Sequence, residues 1–218
     1  MSLKKNLDII IYEKLCDEIL RGEWVQGQAI NPDDFAKSFG VSRTPVLQAL
    51  KRMNANNMID VTRTGHFFVP TFTEKQVCDI LEMRALLERE AVTEIENNGI
   101  ALDYESMQLL AEKCLSYNES GEIVKARQFD LDFHEFLVNQ TTNQCLCDIF
   151  LKVQGQFTVA NFLLATHTNE QQKIAAEDHL KLLAALEARK YNEARQINDE
   201  HIFGARDKII RKMRYSVR

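Results

Sequence analysis

Residues 40–50 read Gly-Val-Ser-Arg-Thr-Pro-Val-Leu-Gln-Ala-Leu, and this stretch decides how the first third of the chain is built. Gly40 supplies a turn, Ser42 is placed to cap a helix, and Pro45 falls in that helix's first turn, where a missing N–H is harmless. The helix is expected to run to about Asn54. Upstream, Asn31 is a second N-cap, followed by Pro32 at the first helical position and by Asp33 and Asp34 in the first turn; that helix reaches about Phe39. Further upstream, Ile10, Ile11, Leu15, Ile19 and Leu20 recur with helical spacing over 7–21, and Gly22 ends the run. Downstream, Asn57 suits a left-handed conformation. Two β-rich runs, Met58-Ile59-Asp60-Val61 and His66-Phe67-Phe68-Val69, flank the turn Thr62-Arg63-Thr64-Gly65. Helix, helix, turn, helix and hairpin describe a winged helix-turn-helix. The order alone fits a structural α+β subdomain equally well.

All three prolines, at 32, 45 and 70, lie in this part, and none follows residue 73. We therefore place a boundary near Pro70-Thr71-Phe72-Thr73, with domains 1–72 and 73–218. The second reads as helices only, at roughly 73–98, 103–118, 121–139, 142–167, 170–189 and 192–214. Asn97-Asn98-Gly99, Glu119-Ser120-Gly121 and Lys190-Tyr191-Asn192 are the expected turns. Short connections between long helices imply an antiparallel bundle. The fold expected is mainly α: an N-terminal winged helix-turn-helix and a C-terminal all-α bundle.

The net charge of −5 is unevenly spread. Residues 1–72 carry nine Lys/Arg against eight Asp/Glu, and residues 73–218 carry eighteen against twenty-four. Within 41–69, Arg43, Lys51, Arg52 and Arg63 face Asp60 alone, a small basic surface compatible with DNA. The five cysteines, at 16, 78, 114, 145 and 147, have neither metal-finger nor disulfide-framework spacing, which suits free thiols in a reducing cytosol. No apolar run approaches the roughly 18 residues of a membrane span, and MSLKKNLD has no apolar signal core. A cytoplasmic protein without membrane contact is expected.

One helical stretch, Gln128-Phe129-Asp130-Leu131-Asp132-Phe133-His134-Glu135-Phe136-Leu137, carries candidate ligands. At about 100° per residue, His134 lies about 40° from Asp130, on a face shared with Ile123, Arg127, Leu137 and Val138. Asp132 lies about 200° away with Lys125, Gln128 and Glu135, so it is expected in solvent. His179, among Ala175, Leu182, Leu183 and Leu186, also faces inward, as does His201 with Ala194, Ile197, Ala205 and Ile209. A buried Asp/His pair one turn apart can chelate a metal or simply hydrogen-bond, and spacing does not choose. Arg84 lies on the stripe of Val77, Ile80, Leu81, Ala91 and Ile95, either paired with Glu88 one turn on or clamping an anion.

Residues 40–50 resemble the helix-turn-helix signature of GntR-family transcription regulators, approximately G-V-S-R-x-P-V-R-x-A-L. Ile19-Leu20-Arg21-Gly22 and Gly65-His66-Phe67-Phe68-Val69 fit the same family, and the helical remainder resembles the FadR subgroup in its metal-binding FCD branch. The resemblance covers nearly the whole chain. It implies DNA contacts from Ser42, Arg43, Thr44 and Gln48, with the wing tip Arg63, Thr64, Gly65 and His66. Two departures stand out: Gln26-Gly27 replaces Pro-Gly in a loop, and Leu47 stands where an arginine usually contacts DNA. Leucine pairs with neither phosphate nor guanine.

The resemblance further implies a metal tetrad of one Asp and three His, matched here by Asp130, His134, His179 and His201. Such a set suits a divalent transition metal, with Zn, Ni and Mn all compatible. Open positions on the ion would take a small organic acid effector, with Arg84 favoured as a pocket residue and Arg127 and His167 as further candidates. The resulting expectation is a homodimeric, effector-responsive regulator of double-stranded operator DNA. The alternative is a metalloenzyme acting on a small carboxylate with an accessory winged-helix domain, though no H-E-x-x-H motif or positioned general base is present. A purely structural metal is a third reading.

Overall fold

A computed structural model describes residues 7–164 and 169–216. Helix α1 (Leu7–Leu20) buries Ile11, Leu15 and Ile19, four residues apart on one face. Gly22, at φ +71°, turns the chain out of it. Helix α2 (Pro32–Phe39) starts as its sequence dictates: the Asn31 side chain accepts the Asp33 N–H at 3.0 Å, and Pro32 occupies the first position. It stops at Gly40, left-handed at φ +64°. Helix α3 (Arg43–Ala55) buries Val46, Ala49, Leu50 and Met53 and packs on α1. Ser42 stands at its N-cap without a side-chain capping hydrogen bond, so its hydroxyl remains exposed. Asn57 is left-handed, at φ +55°.

The hairpin is shorter than its β-rich runs. Strands β2 (Asp60–Val61) and β3 (Phe67–Phe68) pair antiparallel, and the Thr62 N–H bonds the His66 carbonyl at 2.9 Å to close the wing. A third strand, β1 (Ala29–Ile30), pairs with the other edge of β3, giving the order β1-β3-β2. Two residues are too few to show alternation, so β1 leaves no periodic signal in the sequence.

Six helices follow: α4 (Glu74–Asn98), α5 (Tyr104–Glu119), α6 (Ile123–Asn139), α7 (Gln144–Leu164), α8 (Asn169–Glu187) and α9 (Tyr191–Ser216). A capping box opens α4: the Thr73 hydroxyl accepts the Gln76 N–H at 3.2 Å, and Gln76 Oε1 accepts the Thr73 N–H at 2.9 Å. The expected turn at Lys190-Tyr191-Asn192 is displaced, because Arg189 adopts φ +55° and the N–H of Lys190 reaches back to the Ala185 carbonyl at 2.8 Å. That left-handed cap ends α8 at Glu187 and releases Tyr191 to begin α9. The seventh helix starts at Gln144 rather than 142, and residues 165–167 of the expected span lie outside those described.

Within the bundle, α4 packs on α7 and α9, α5 on α6 and α8, and α8 on α9. One apolar core gathers Val92, Ile95, Met107, Phe133, Leu137 and Leu186. A second runs without interruption from α1 and α3 through α4 and α7 to Ile202 and Ile209. Helix α1 therefore seats the N-terminal unit directly on α6 and α7. Removing the cap with Thr73→Ala is expected to cost about 1 kcal/mol, read as a lower urea midpoint at unchanged slope.

Candidate functional site

Asp130 and His134 sit one turn apart on α6, His179 on α8 and His201 on α9. The helix packing brings all four together: one ligand atom from each lies within 4.8 Å of every other. His134 Nε2 is 3.1 Å from His201 Nε2 and 3.2 Å from His179 Nε2. Asp130 Oδ1 is 3.3 Å from His179 Nε2 and 3.8 Å from His201 Nε2. Nitrogens bound to one first-row ion at roughly 2.0–2.1 Å stand about 2.9–3.4 Å apart between right-angle and tetrahedral arrangements; the separations of 3.1, 3.2 and 3.3 Å fall in that range, and the 3.8 Å between Asp130 and His201 is wider. His134, whose Nδ1 is committed to Glu88, presents an Nε2 lone pair toward the Nε2 atoms of His179 and His201.

His134 is fully buried, and its Nδ1–H donates to Glu88 Oε2 at 2.7 Å, which leaves Nε2 as the free donor atom. The other oxygen of Glu88 accepts from Arg84 Nε, also at 2.7 Å. Burial would raise the Glu88 carboxyl, but the charges and hydrogen bonds of His134 and Arg84 outweigh it and hold it at about 2. Burial lowers His134 and His201 and so favours the neutral, ligating form. Burial opposes ionisation of Asp130, yet the hydrogen bond from His179 and the surrounding imidazoles keep it well below the usual carboxylate range. The ring of Phe133 stacks on His179 at 4.4 Å and fixes its plane.

Beside the four convergent side chains lies a cavity of about 70 Å³. At roughly 10–15 Å³ per water, it has room for a few waters or one small acid. Asp130 and His201 form one wall, and Arg84, Arg127, Lys208 and Asn118 form others. Arg84 Nη2, Arg127 Nε and both polar atoms of Asn118 are buried without a partner. Burial pushes the Arg127 guanidinium down to about 10, while Asp130 opposes the shift. Arg84 pairs with Glu88, as its spacing allows, and it also lines the cavity, as Arg127 does. His167 lies outside the described residues.

Sequence reasoning missed Asn118 and Lys208. Asn118 had a legible signal: it continues the buried stripe Met107, Ala111, Cys114, where an amide needs a partner. Asp132 corrects the expectation of a solvated charge. It is half-buried, accepts Gln128 Nε2 at 2.7 Å, and borders a crevice shared with α1; burial raises its carboxyl. The face of α6 opposite Asp130 and His134 borders a crevice whose far wall is the N-terminal unit.

At the other end of the molecule, Ser42, Arg43, Thr44 and Gln48 are exposed on the first turns of α3. Arg43 Nε rests 3.4 Å from Asp33, an exposed pair that is weak and easily exchanged. Leu47 is half-buried against the core, which accounts for an apolar residue there. Arg63, Thr64, Gly65 and His66 are exposed on the wing, where the Thr64 hydroxyl lies 2.9 Å from both Thr62 Oγ1 and His66 Nδ1.

A helix-turn-helix with a wing, seated on a helical bundle with a cavity whose walls carry several charged side chains, is the plan of a DNA-binding regulator. Comparison with known proteins agrees. The description "Bacterial regulatory proteins, gntR family" matches residues 10–69, and "FCD domain" matches residues 79–204. The chain belongs to the gntR family, with an FCD domain, and is a DNA-binding transcription regulator. It is similar to the Nta operon transcriptional regulator of Aminobacter aminovorans, at 28% identity over 88% of this chain and 89% of that protein. It is also similar to the HTH-type transcriptional regulator McbR of Escherichia coli (strain K12), at 24% identity over 84% of each. The solved structure of E. coli McbR/YncC shares the fold, with a TM-score of 0.76 at 23% identity over 90% of this chain and 93% of that one. The alternative of a metalloenzyme is thereby replaced. No helix among the described residues is long and apolar enough to cross a membrane.

Glu88→Ala leaves Arg84 buried and unpaired, and is expected to destabilise the protein by about 3–5 kcal/mol. The double variant Arg84→Met/Glu88→Leu should lose less than that single change, both measured by urea unfolding.

Proposed function

We propose that this regulator is ligand-responsive. Residues 1–72 bind double-stranded operator DNA, and residues 73–218 hold a divalent transition ion and a small organic acid. The observation that carries the reading is the adjacency of two features: four convergent ligands on three helices, and a cavity whose other walls present buried cations with unmet hydrogen bonds. Asp130, His134, His179 and His201 would hold the ion, for which Zn, Ni and Mn all suit the donor set. A bound ion would supply Lewis-acid positions for the acid's oxygens. Arg84 and Arg127 would bind its carboxylate, and Asn118 can both donate to and accept from a hydroxyl. An acid that fits one arrangement of the chain better than another shifts the population toward it, and DNA affinity follows.

We place the protein in the cytoplasm as a homodimer whose two-fold axis matches operator half-sites. In DNA binding, Arg43 and Gln48 would reach base edges or phosphates, and the wing residues Arg63 and His66 the backbone.

Metal analysis and native mass spectrometry of the purified protein test the centre. Wild type is expected to carry about one ion per chain, and His134→Ala to lose it. Arg127→Ala should retain the ion and lose the response of DNA binding to added small acids. A wild-type protein that takes up no Zn²⁺, Ni²⁺ or Mn²⁺ would sink the proposal. If chelation lowers the melting temperature yet leaves the acid response intact, the ion is structural only. Separately, Arg43→Ala is expected to weaken duplex binding and to reduce the slope of log K against log salt by about 1; an unchanged slope would remove Arg43 from the phosphate contacts.

A further inference from the structure

Gly155 lies in the middle of α7, where glycine weakens a helix relative to alanine. Its place is explained by what it touches. A Cβ built on Gly155 would stand 1.9 Å from the carbonyl oxygen of Asn56 and 3.2 Å from Met58 Cγ. Asn56 is the C-cap of α3, the DNA-reading helix. The opposing atom is backbone and cannot swing aside. Gly204 in α9 provides the contrast, since nothing lies within 4 Å of its added Cβ.

The same stretch of α7 touches the cavity. Phe157, two residues on, carries the Arg84 guanidinium over its ring at 4.2 Å, and Asn161 lines the cavity wall. One residue back, Gln154 Nε2 donates to the Leu131 carbonyl at 2.8 Å, the peptide next to Asp130. Around the Gly155 contact the N-terminal unit and the bundle stand apart across a crevice of about 520 Å³, with Tyr12 and Arg52 on one side and Gln128 and Asp132 on the other. The close contact therefore lies at the edge of open space.

We infer that Gly155 is a positioning residue for DNA recognition: it seats the end of α3 on α7, and through α7 the state of the cavity reaches the DNA-reading helix. The second half of this statement rests on the ligand-responsive reading above.

Hydrogen exchange by mass spectrometry on full-length wild type, Gly155→Ala and Gly204→Ala, with and without added Ni²⁺, separates the parts. Without metal, Gly155→Ala is expected to speed exchange in residues 53–59 by at least about tenfold while the bundle helices keep wild-type protection, and Gly204→Ala to match wild type. Equal exchange in 53–59 for Gly155→Ala and wild type overturns the positioning role. With Ni²⁺, wild type should slow in α6 and α9 and also change in 53–59; Gly155→Ala should keep the first effect and lose the second. A wild-type response confined to α6 and α9 overturns the coupling. If Ni²⁺, and Zn²⁺ and Mn²⁺ in its place, slow nothing in wild type, the metal reading falls, and the metal-free comparison alone decides the role of Gly155. Should Gly155→Ala fail to fold, Gln154→Met, which cuts the tie to Leu131 without touching α3, must blunt the response of 53–59; a full response overturns the route through α7.

Discussion

Glu88 is the group around which the helical half is arranged. It is a fully buried carboxylate with each oxygen committed, one to Arg84 and one to His134. A charge so placed is tolerable only because both partners are held at 2.7 Å by packing. The consequences run in two directions. Toward the ligand cluster, the bond to Nδ1 fixes the His134 tautomer and aims Nε2 at the other ligands. Toward the cavity, the bond to Nε orients the Arg84 guanidinium and leaves Nη2 unpartnered. One carboxylate on α4 thus sets a ligand imidazole and a cavity cation at once. A ligand bound to both would draw on a preorganised pair rather than ordering two loose side chains.

Much of this was legible in the chain, for reasons that differ between residues. Helix starts at Asn31 and Thr73 and stops at Gly40 and Gly99 depend on neighbours a few residues away, so sequence specifies them. The inward faces of Asp130, His134, His179 and His201 follow from helical period alone; their convergence needed the resemblance as well, since period does not say which faces meet. Asn118 and Lys208 were missed as cavity residues because their roles arise only where α5 meets α9 across the cavity. Arg189 was missed as a turn residue because a left-handed arginine has no sequence mark; only the fit of α9 against α4 and α8 selects it. Asp132 was misplaced for the same kind of reason: periodicity turned it away from the ligands correctly, but could not foresee that the N-terminal unit stands across a crevice on that side.

Leu47 illustrates how a local departure is absorbed. Arginine there would add a contact to the expected set of Ser42, Arg43, Thr44 and Gln48, whereas leucine gives that up and packs against the core. Arg43, Thr44 and Gln48 are exposed in the first two turns of α3, and Lys51 and Arg52 are exposed further along it. The opposite end of α3 is occupied by Asn56, held down by α7. Under the proposed DNA contacts, reading by Arg43, Thr44 and Gln48 and docking at Asn56 fall at opposite ends of one thirteen-residue helix.

That division constrains how a signal can travel. A helix about 20 Å long, at 1.5 Å per residue, converts a small shift at its seated end into a change of angle at its reading end. The seat must be stiff for this to hold, and a backbone-to-backbone approach at Gly155 is stiffer than side chains that can change rotamer. Helix α6 contributes from the other side. Its inward face carries Asp130 and His134, the Leu131 carbonyl is gripped by Gln154, and Asp132 borders the crevice. The face carrying Asp130 and His134 and the face bordering the crevice lie on the same turns of the same helix, separated only by its period. No long chain of contacts is needed between them: from Asp130 through Leu131 and Gln154 to Gly155 and Asn56, each step is a peptide bond, a hydrogen bond or a close backbone contact.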